Sequence, residues 1–166
     1  CTEDISGTDC TGSTKLQLGQ RVNVRHHASG AASTITVAAG VIGLVSDKTS
    51  TTLTVAGQRV TVNTDATAGP LTAFGGTTAA GVAVTSLDDI ANNDTVAVHG
   101  TPVYNTALGV YEVAATRIEA KSAINHVRLL GKVAGLTSNT FTLNGVTIDT
   151  SAATIAPTGT TLADGQ

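Results

Sequence analysis

The chain has no methionine and no tryptophan, and only two phenylalanines and two tyrosines. Its core must therefore be assembled from Val, Ile, Leu and Ala in thin layers, without the broad aromatic plates that fill most domains. Charge is also scarce: 13% of residues are charged, and 9 basic against 12 acidic side chains leave a net charge of -3. A basic groove for a phosphate backbone is excluded, and with it a nucleic-acid partner. No apolar run approaches the roughly 18 residues that a membrane-spanning helix requires. Also missing are a Ser, His and Asp arranged on a nucleophile elbow, a Cys beside a His, and a Gly-rich phosphate loop leading from strand to helix. The expectation is a non-enzymatic protein with no cofactor.

What is abundant is threonine, 30 of 166 residues, together with 18 glycines and many valines. Side chains branched at Cβ are stiff and suit a pleated surface, whereas long helix formers are few, so the chain is expected to be all-β. The first residue is Cys1 and the second cysteine is Cys10. Three uses stand open: a lipid anchor on Cys1, a Cys1–Cys10 disulfide, or a crosslink from either thiol to a neighbouring subunit. The first two place the protein outside the cytoplasm, at the cell surface or beyond.

Period-two alternation begins after a polar leader (residues 1–15), at Leu16-Gln-Leu-Gly-Gln-Arg-Val-Asn-Val24, and returns after a Gly turn at Thr34-Ile-Thr-Val37. Three more strands are expected at residues 41–45, 53–55 and 60–62. Residues 63–85, rich in Gly, Ala and Thr, are expected to form a long loop. Ser86 with Asp89 marks one helical turn. Residues 95–98 and 110–113 are then expected to pair across a loop that holds Tyr104, the second strand continuing to Ile118. A second pass starts near Val127: residues 130–138, Leu-Gly-Lys-Val-Ala-Gly-Leu-Thr-Ser, echo residues 40–46, Gly-Val-Ile-Gly-Leu-Val-Ser, and residues 140–148 echo 52–57 with 60–62. Asn144-Gly145 suits a type I′ turn. The final Leu162-Ala-Asp-Gly-Gln166 matches Leu16-Gln-Leu-Gly-Gln20. The expected organisation is a leader (1–15), the last two strands of a module (16–39), one complete five-strand module (40–122) and the first three strands of another (123–166).

With a Phe-Thr-Leu-Asn-Gly-Val hairpin, a Leu-x-x-Gly-Gln segment before a strand and an Ala115-Thr-Arg-Ile118 final strand, this unit resembles a bacterial domain family of unknown function. The resemblance implies exported or lipid-anchored proteins carrying tandem OB-like five-stranded β-barrel modules, and brings no catalytic residues.

Half-modules leave strand edges unpaired, an invitation to another chain. The expected donor side chains are Leu16, Leu18, Val22, Val24, Ile35 and Val37. The expected acceptors are Val127, Leu129, Val133, Phe141, Leu143, Val146 and Ile148. The partner is then the protein itself, in a head-to-tail homopolymer whose heterologous contact propagates into an extracellular filament. Two alternatives stand beside it: a cell-surface lipoprotein module binding an oligosaccharide or metal, and an excerpt of a longer tandem-repeat surface protein. His26, His27, His99 and His126 are expected as exposed loop histidines rather than metal ligands, because adjacent residues on a strand face opposite ways.

Overall fold

The computed structural model describes residues 2–3 and 16–166; Cys1 and Cys10 lie outside them. The protein is all-β, and among the described residues the only helical element is a 3₁₀ turn at Leu87–Asp89. The described residues form twelve strands: β1 (Thr2–Glu3), β2 (Val22–His26), β3 (Ala32–Val37), β4 (Val41–Ser46), β5 (Thr52–Val55), β6 (Gln58–Val62), β7 (Ala73–Gly76), β8 (Thr95–Asn105), β9 (Val110–Lys121), β10 (Val133–Ala134), β11 (Thr140–Leu143) and β12 (Val146–Asp149).

They fall into three sheets: β1-β3-β2, a six-stranded sheet ordered β6-β5-β4-β8-β9-β7, and β10-β11-β12. In the central sheet β6 also pairs in parallel with β9, through Val60 opposite Val113 and Val62 opposite Ala115. The pairings of β4, β5, β6, β8 and β9 therefore run in a cycle. Inside it lie Val41, Val45, Leu53, Val55, Val60, Val96, Val98, Val113 and Ile118, all buried. At about 1.5–3 kcal/mol for each fully buried aliphatic side chain, this layer is the main stabilising feature of the unit.

The long hairpin corrects the expected pairing. β8 and β9 run without a loop until Asn105 opposite Val110, so Val96 meets Ala120 rather than the 110–113 segment, and Tyr104 sits in a strand opposite Tyr111. Their rings lie 5.1 Å apart at 59°. Pro102 is tolerated within β8 because β4 pairs only as far as Val98, which leaves the later part of β8 as an edge.

Residues 63–85 are more ordered than a loop. β7 adds to β9 in parallel, Phe74 opposite Ile118, and Thr72, Thr78 and Val84 are buried. The Thr72 hydroxyl donates to the Ala115 carbonyl at 2.7 Å and accepts from the Asn63 N–H at 3.0 Å, tying the first part of the excursion to β9. Gly76, at φ 79°, passes so close to the Ala120 carbonyl that a Cβ would overlap it. The Asp89 carboxylate accepts from the N–H groups of Thr85 and Ser86 at 2.9 and 3.0 Å and so closes the 3₁₀ turn. These bonds to the ionised form hold its pKa below the ordinary carboxylate value.

Candidate functional site

The internal duplication extends to individual hydrogen bonds. In β4–β5, Val45 stands opposite Val55 and Ser46 opposite Thr54; in β10–β11, Val133 stands opposite Leu143 and Ala134 opposite Thr142. The next pair repeats equally, Leu53 opposite Val60 and Phe141 opposite Ile148. Each hairpin turns through two residues of positive φ, Ala56 and Gly57 at 49° and 81°, Asn144 and Gly145 at 50° and 87°. The Thr49 hydroxyl meets that of Thr52 at 2.8 Å, and the Thr137 hydroxyl meets that of Thr140 at 2.9 Å.

A four-residue turn recurs three times, at 17–20, 91–94 and 163–166, and the first two lead into β2 and β8. The Asp94 N–H donates to the Ala91 carbonyl, that of Gln166 to Ala163, and that of Gln20 to Gln17. The reverse bond, from the first residue's N–H to the last residue's side chain, is present in all three. Against the sheet, the Val45 N–H donates to the Asp94 carbonyl at 2.9 Å, and the Val133 N–H to the Gln166 carbonyl at 2.9 Å. Position for position, β10-β11-β12 with residues 163–166 is the β4-β5-β6 part of the central unit.

The other fragment is its complement. β2 and β3 pair Val24 with Ile35 and Arg25 with Thr34, then shift register between Arg25 and His26. β8 and β9 pair Val98 with Ile118 and His99 with Arg117, then shift between His99 and Gly100. The third strand also has a counterpart, since β1 runs parallel to β3 as β7 runs parallel to β9. Residues 16–39 hold two strands, and β1, from the segment expected as a polar leader, adds a third beside them. Val22, Val24, Ile35 and Val37 occupy the places of Val96, Val98, Ile118 and Ala120, which are all buried in the central unit.

Burial differs between the fragments and the central unit. Val22 and Val24 are 38% and 51% exposed, Ile35 is half-buried, and Val37 is already buried within its own chain. In β11 and β12, Phe141, Leu143 and Ile148 are only half-buried, whereas their counterparts Leu53, Val55 and Val60 are fully buried. Leu129 and Leu162 are likewise half-buried, in the places of the buried Val41 and Ile90. Val133 is buried, and Val146 is half-buried, packing on Gly57 where a Cβ would lie 2.9 Å from its Cγ2. Leu16, half-buried, takes the place of Ile90. Leu18 is 85% exposed on the turn, in the place of the exposed Asn92, and the exposed Val127 precedes β10. These two fall outside the apolar face that the repeat defines.

Both fragments are docked to the central unit by polar clasps. The Gln58 side chain, wholly buried, donates to the Leu130 carbonyl at 2.9 Å and accepts from the Leu130 N–H at 3.1 Å. Ile42 and Arg128 exchange two backbone hydrogen bonds beside it, at 2.9 and 3.0 Å. On the opposite fragment, the buried Arg117 guanidinium donates to the Glu119 carboxylate at 2.6 Å, to the Leu18 carbonyl at 3.2 Å and to the Gln17 side chain. Lys121 and the Gln20 amide also donate to Glu119, at 3.0 and 3.1 Å. Burial alone would raise the Glu119 pKa, but hydrogen bonds from Arg117, Lys121 and Gln20 and the Lys121 charge outweigh it, bringing the pKa down to about 2.

His99 is buried in β8 and its Nδ1 accepts from the Arg21 N–H at 3.2 Å, so it is not the exposed loop residue that was expected. Its partner across the fragment boundary is a strand-leading residue that its own sequence neighbourhood does not reveal. Among the described residues, no group of three or more His, Cys, Asp or Glu side chains is placed to hold a metal ion. Between the β8–β9 tip and the β10–β12 sheet lies an open groove of about 420 Å³, bordered by Tyr111, Lys132, Val133 and Asn144. The Lys132 ammonium stands 5.8 Å from the Tyr111 ring centre.

A family model described as a domain of unknown function, DUF5666, matches residues 131–166, the segment that carries β10, β11 and β12. No curated protein and no solved structure matches the chain.

Proposed function

We propose that the protein is a non-enzymatic structural subunit of an extracellular filament, built of OB-like β-barrel modules and assembled by strand complementation between copies. One observation carries this reading: the two flanking fragments repeat the strand register and turn bonds of two complementary parts of the central unit, and most apolar side chains on the repeated faces are less buried than their counterparts there. The cycle of β4, β5, β6, β8 and β9 is the barrel of this proposal, and joining β2–β3 to β10–β12 builds the same barrel again. Filling the open half would take about six half-exposed apolar side chains out of water; at roughly half of the 1.5–3 kcal/mol for a fully exposed one, this is about 5–9 kcal/mol before the cost of association.

Electron microscopy and sedimentation of the full chain test it, beside Val24→Asp. Val24 is half exposed in the single chain, so the variant folds, yet a carboxylate in the joint is buried without a partner. Filaments from the wild type and monomers from Val24→Asp are the expected result. Monomeric wild-type protein at high concentration defeats the proposal.

The groove beside Tyr111 and Lys132 favours a second reading, a cell-surface module that binds an oligosaccharide, because an aromatic ring and polar groups converge on its wall. In that case glycan binding is lost with Tyr111→Ala, whatever the state of assembly.

A further inference from the structure

Resting on the assembly reading, we infer that the occupant of the open half-unit is the β2–β3 hairpin of a second copy, seated in a single register with Leu129 opposite Val24. The register follows from the central unit. There β4 meets β8 with Val41 opposite Val98, Ile42 opposite Ala97, Gly43 opposite Val96 and Leu44 opposite Thr95. The places of Val41 to Leu44 are held in the C-terminal fragment by Leu129, Leu130, Gly131 and Lys132, as fixed by the shared Val45 and Val133 bonds. The places of Thr95 to Val98 are held in the hairpin by Arg21, Val22, Asn23 and Val24, as fixed by the shared turn and register shift. Leu129 thus meets Val24, Leu130 meets Asn23, Gly131 meets Val22 and Lys132 meets Arg21.

The far seam is set in the same way. β6 runs parallel to β9 with Val62 opposite Ala115, so Thr150 of the acceptor comes beside Ala32 of the donor. A slip of one residue would turn Val22 and Val24 away from Phe141 and Ile148 and expose them, so the apolar faces enforce the register. Within one chain the hairpin and the β10–β12 sheet form separate sheets with no ladder joining them. The Ala38 N–H closes the hairpin root on the Arg21 carbonyl at 3.1 Å, and the root is held to the central unit by the Arg21 N–H on His99 at 3.2 Å. A second copy has no such tether to the acceptor. Lys132 and Arg21 bring two like charges to the solvent end of the seam, which salt screens.

Single-cysteine full-length chains, made in a Cys1→Ser, Cys10→Ser background, test the register. Val24→Cys chains are mixed with Leu129→Cys chains under mild oxidation, and Val22→Cys chains are mixed with Leu129→Cys chains as the control shifted by two residues. Directly opposed strand positions lie within disulfide reach and diagonal ones about 7–8 Å apart do not, so the 24–129 dimer should exceed the 22–129 dimer about tenfold. Filaments that form without the 24–129 crosslink overturn the register and leave the assembly reading standing. Chains that neither crosslink nor sediment above monomer overturn both. A double variant carrying both Val24→Cys and Leu129→Cys that closes only within one chain would show the hairpin complementing its own fragment, and would overturn the second copy as occupant.

Discussion

Gln58→Ala tests how the C-terminal fragment is held. In the wild type the amide bridges the Leu130 N–H and carbonyl, at 3.1 and 2.9 Å, in a site closed to water. The carbonyl keeps a second donor in the variant, the Asn144 amide at 3.0 Å, but the N–H is left without its partner. Losing two hydrogen bonds at a net ~0.5–1.5 kcal/mol each, with an orphaned N–H that costs about 1–3 kcal/mol in place of one of them, gives a destabilisation of about 2–4 kcal/mol. The loss should be uneven. Urea unfolding should show the 123–166 fragment releasing before the central unit, and hydrogen exchange at Leu130 should rise first. Gln58→Glu should do no better, because a carboxylate accepts from the N–H but cannot donate to the carbonyl and is buried as a charge. A Gln58→Ala chain that unfolds within about 0.5 kcal/mol of the wild type, with Leu130 exchange unchanged, would refute the clasp.

The Glu119 cluster predicts a specific acid response. The folded pKa of about 2 lies below the ordinary value of 4.5, so the unfolded chain binds its proton first, and the stabilisation is complete above 4.5 and lost as pH falls toward 2. On the order of 3 kcal/mol is at stake, and calorimetry should find that part of the acid sensitivity gone in Glu119→Gln. Leu53→Ala should cost about 2–5 kcal/mol in the single chain, by loss of a fully buried side chain, while Phe141→Ala at the matching position costs less until filaments form. Comparing both variants by denaturation below and above the assembly concentration checks this. Gly76→Ala places a methyl group against the Ala120 carbonyl at a positive φ, so it should strip β7 from β9 at about 1–3 kcal/mol, with raised hydrogen exchange confined to residues 63–85. Added salt should strengthen end-to-end association, and Lys132→Ser should remove that salt dependence, as measured by sedimentation.

Much of this architecture is local and was legible in the chain. Alternating Val and Thr fixed which residues face the core, and Asn144-Gly145 fixed a tight hairpin because both residues accept positive φ. The repetition of Leu-x-x-Gly-Gln located the same hydrogen-bonded turn at Leu16 and Leu162, since a turn of that size is determined by its own few residues. Other features belong to the tertiary structure. Ala73-Phe-Gly-Gly76 has no alternation to mark it, and becomes a strand only because β9 offers a parallel edge. The extension of β8 past Pro102 to Tyr104 depends on β9 lying opposite and on β4 stopping at Val98. Gln58, Arg117, Glu119 and His99 look like surface residues in a polar alternation, yet all are buried, because their partners Leu130, Gln17, Gln20 and Arg21 come from segments remote in sequence. Side-chain period and turn chemistry act over a few residues and so are written in the sequence. The pairing of distant edges, and the burial of polar groups between them, exists only once segments remote in sequence have come together.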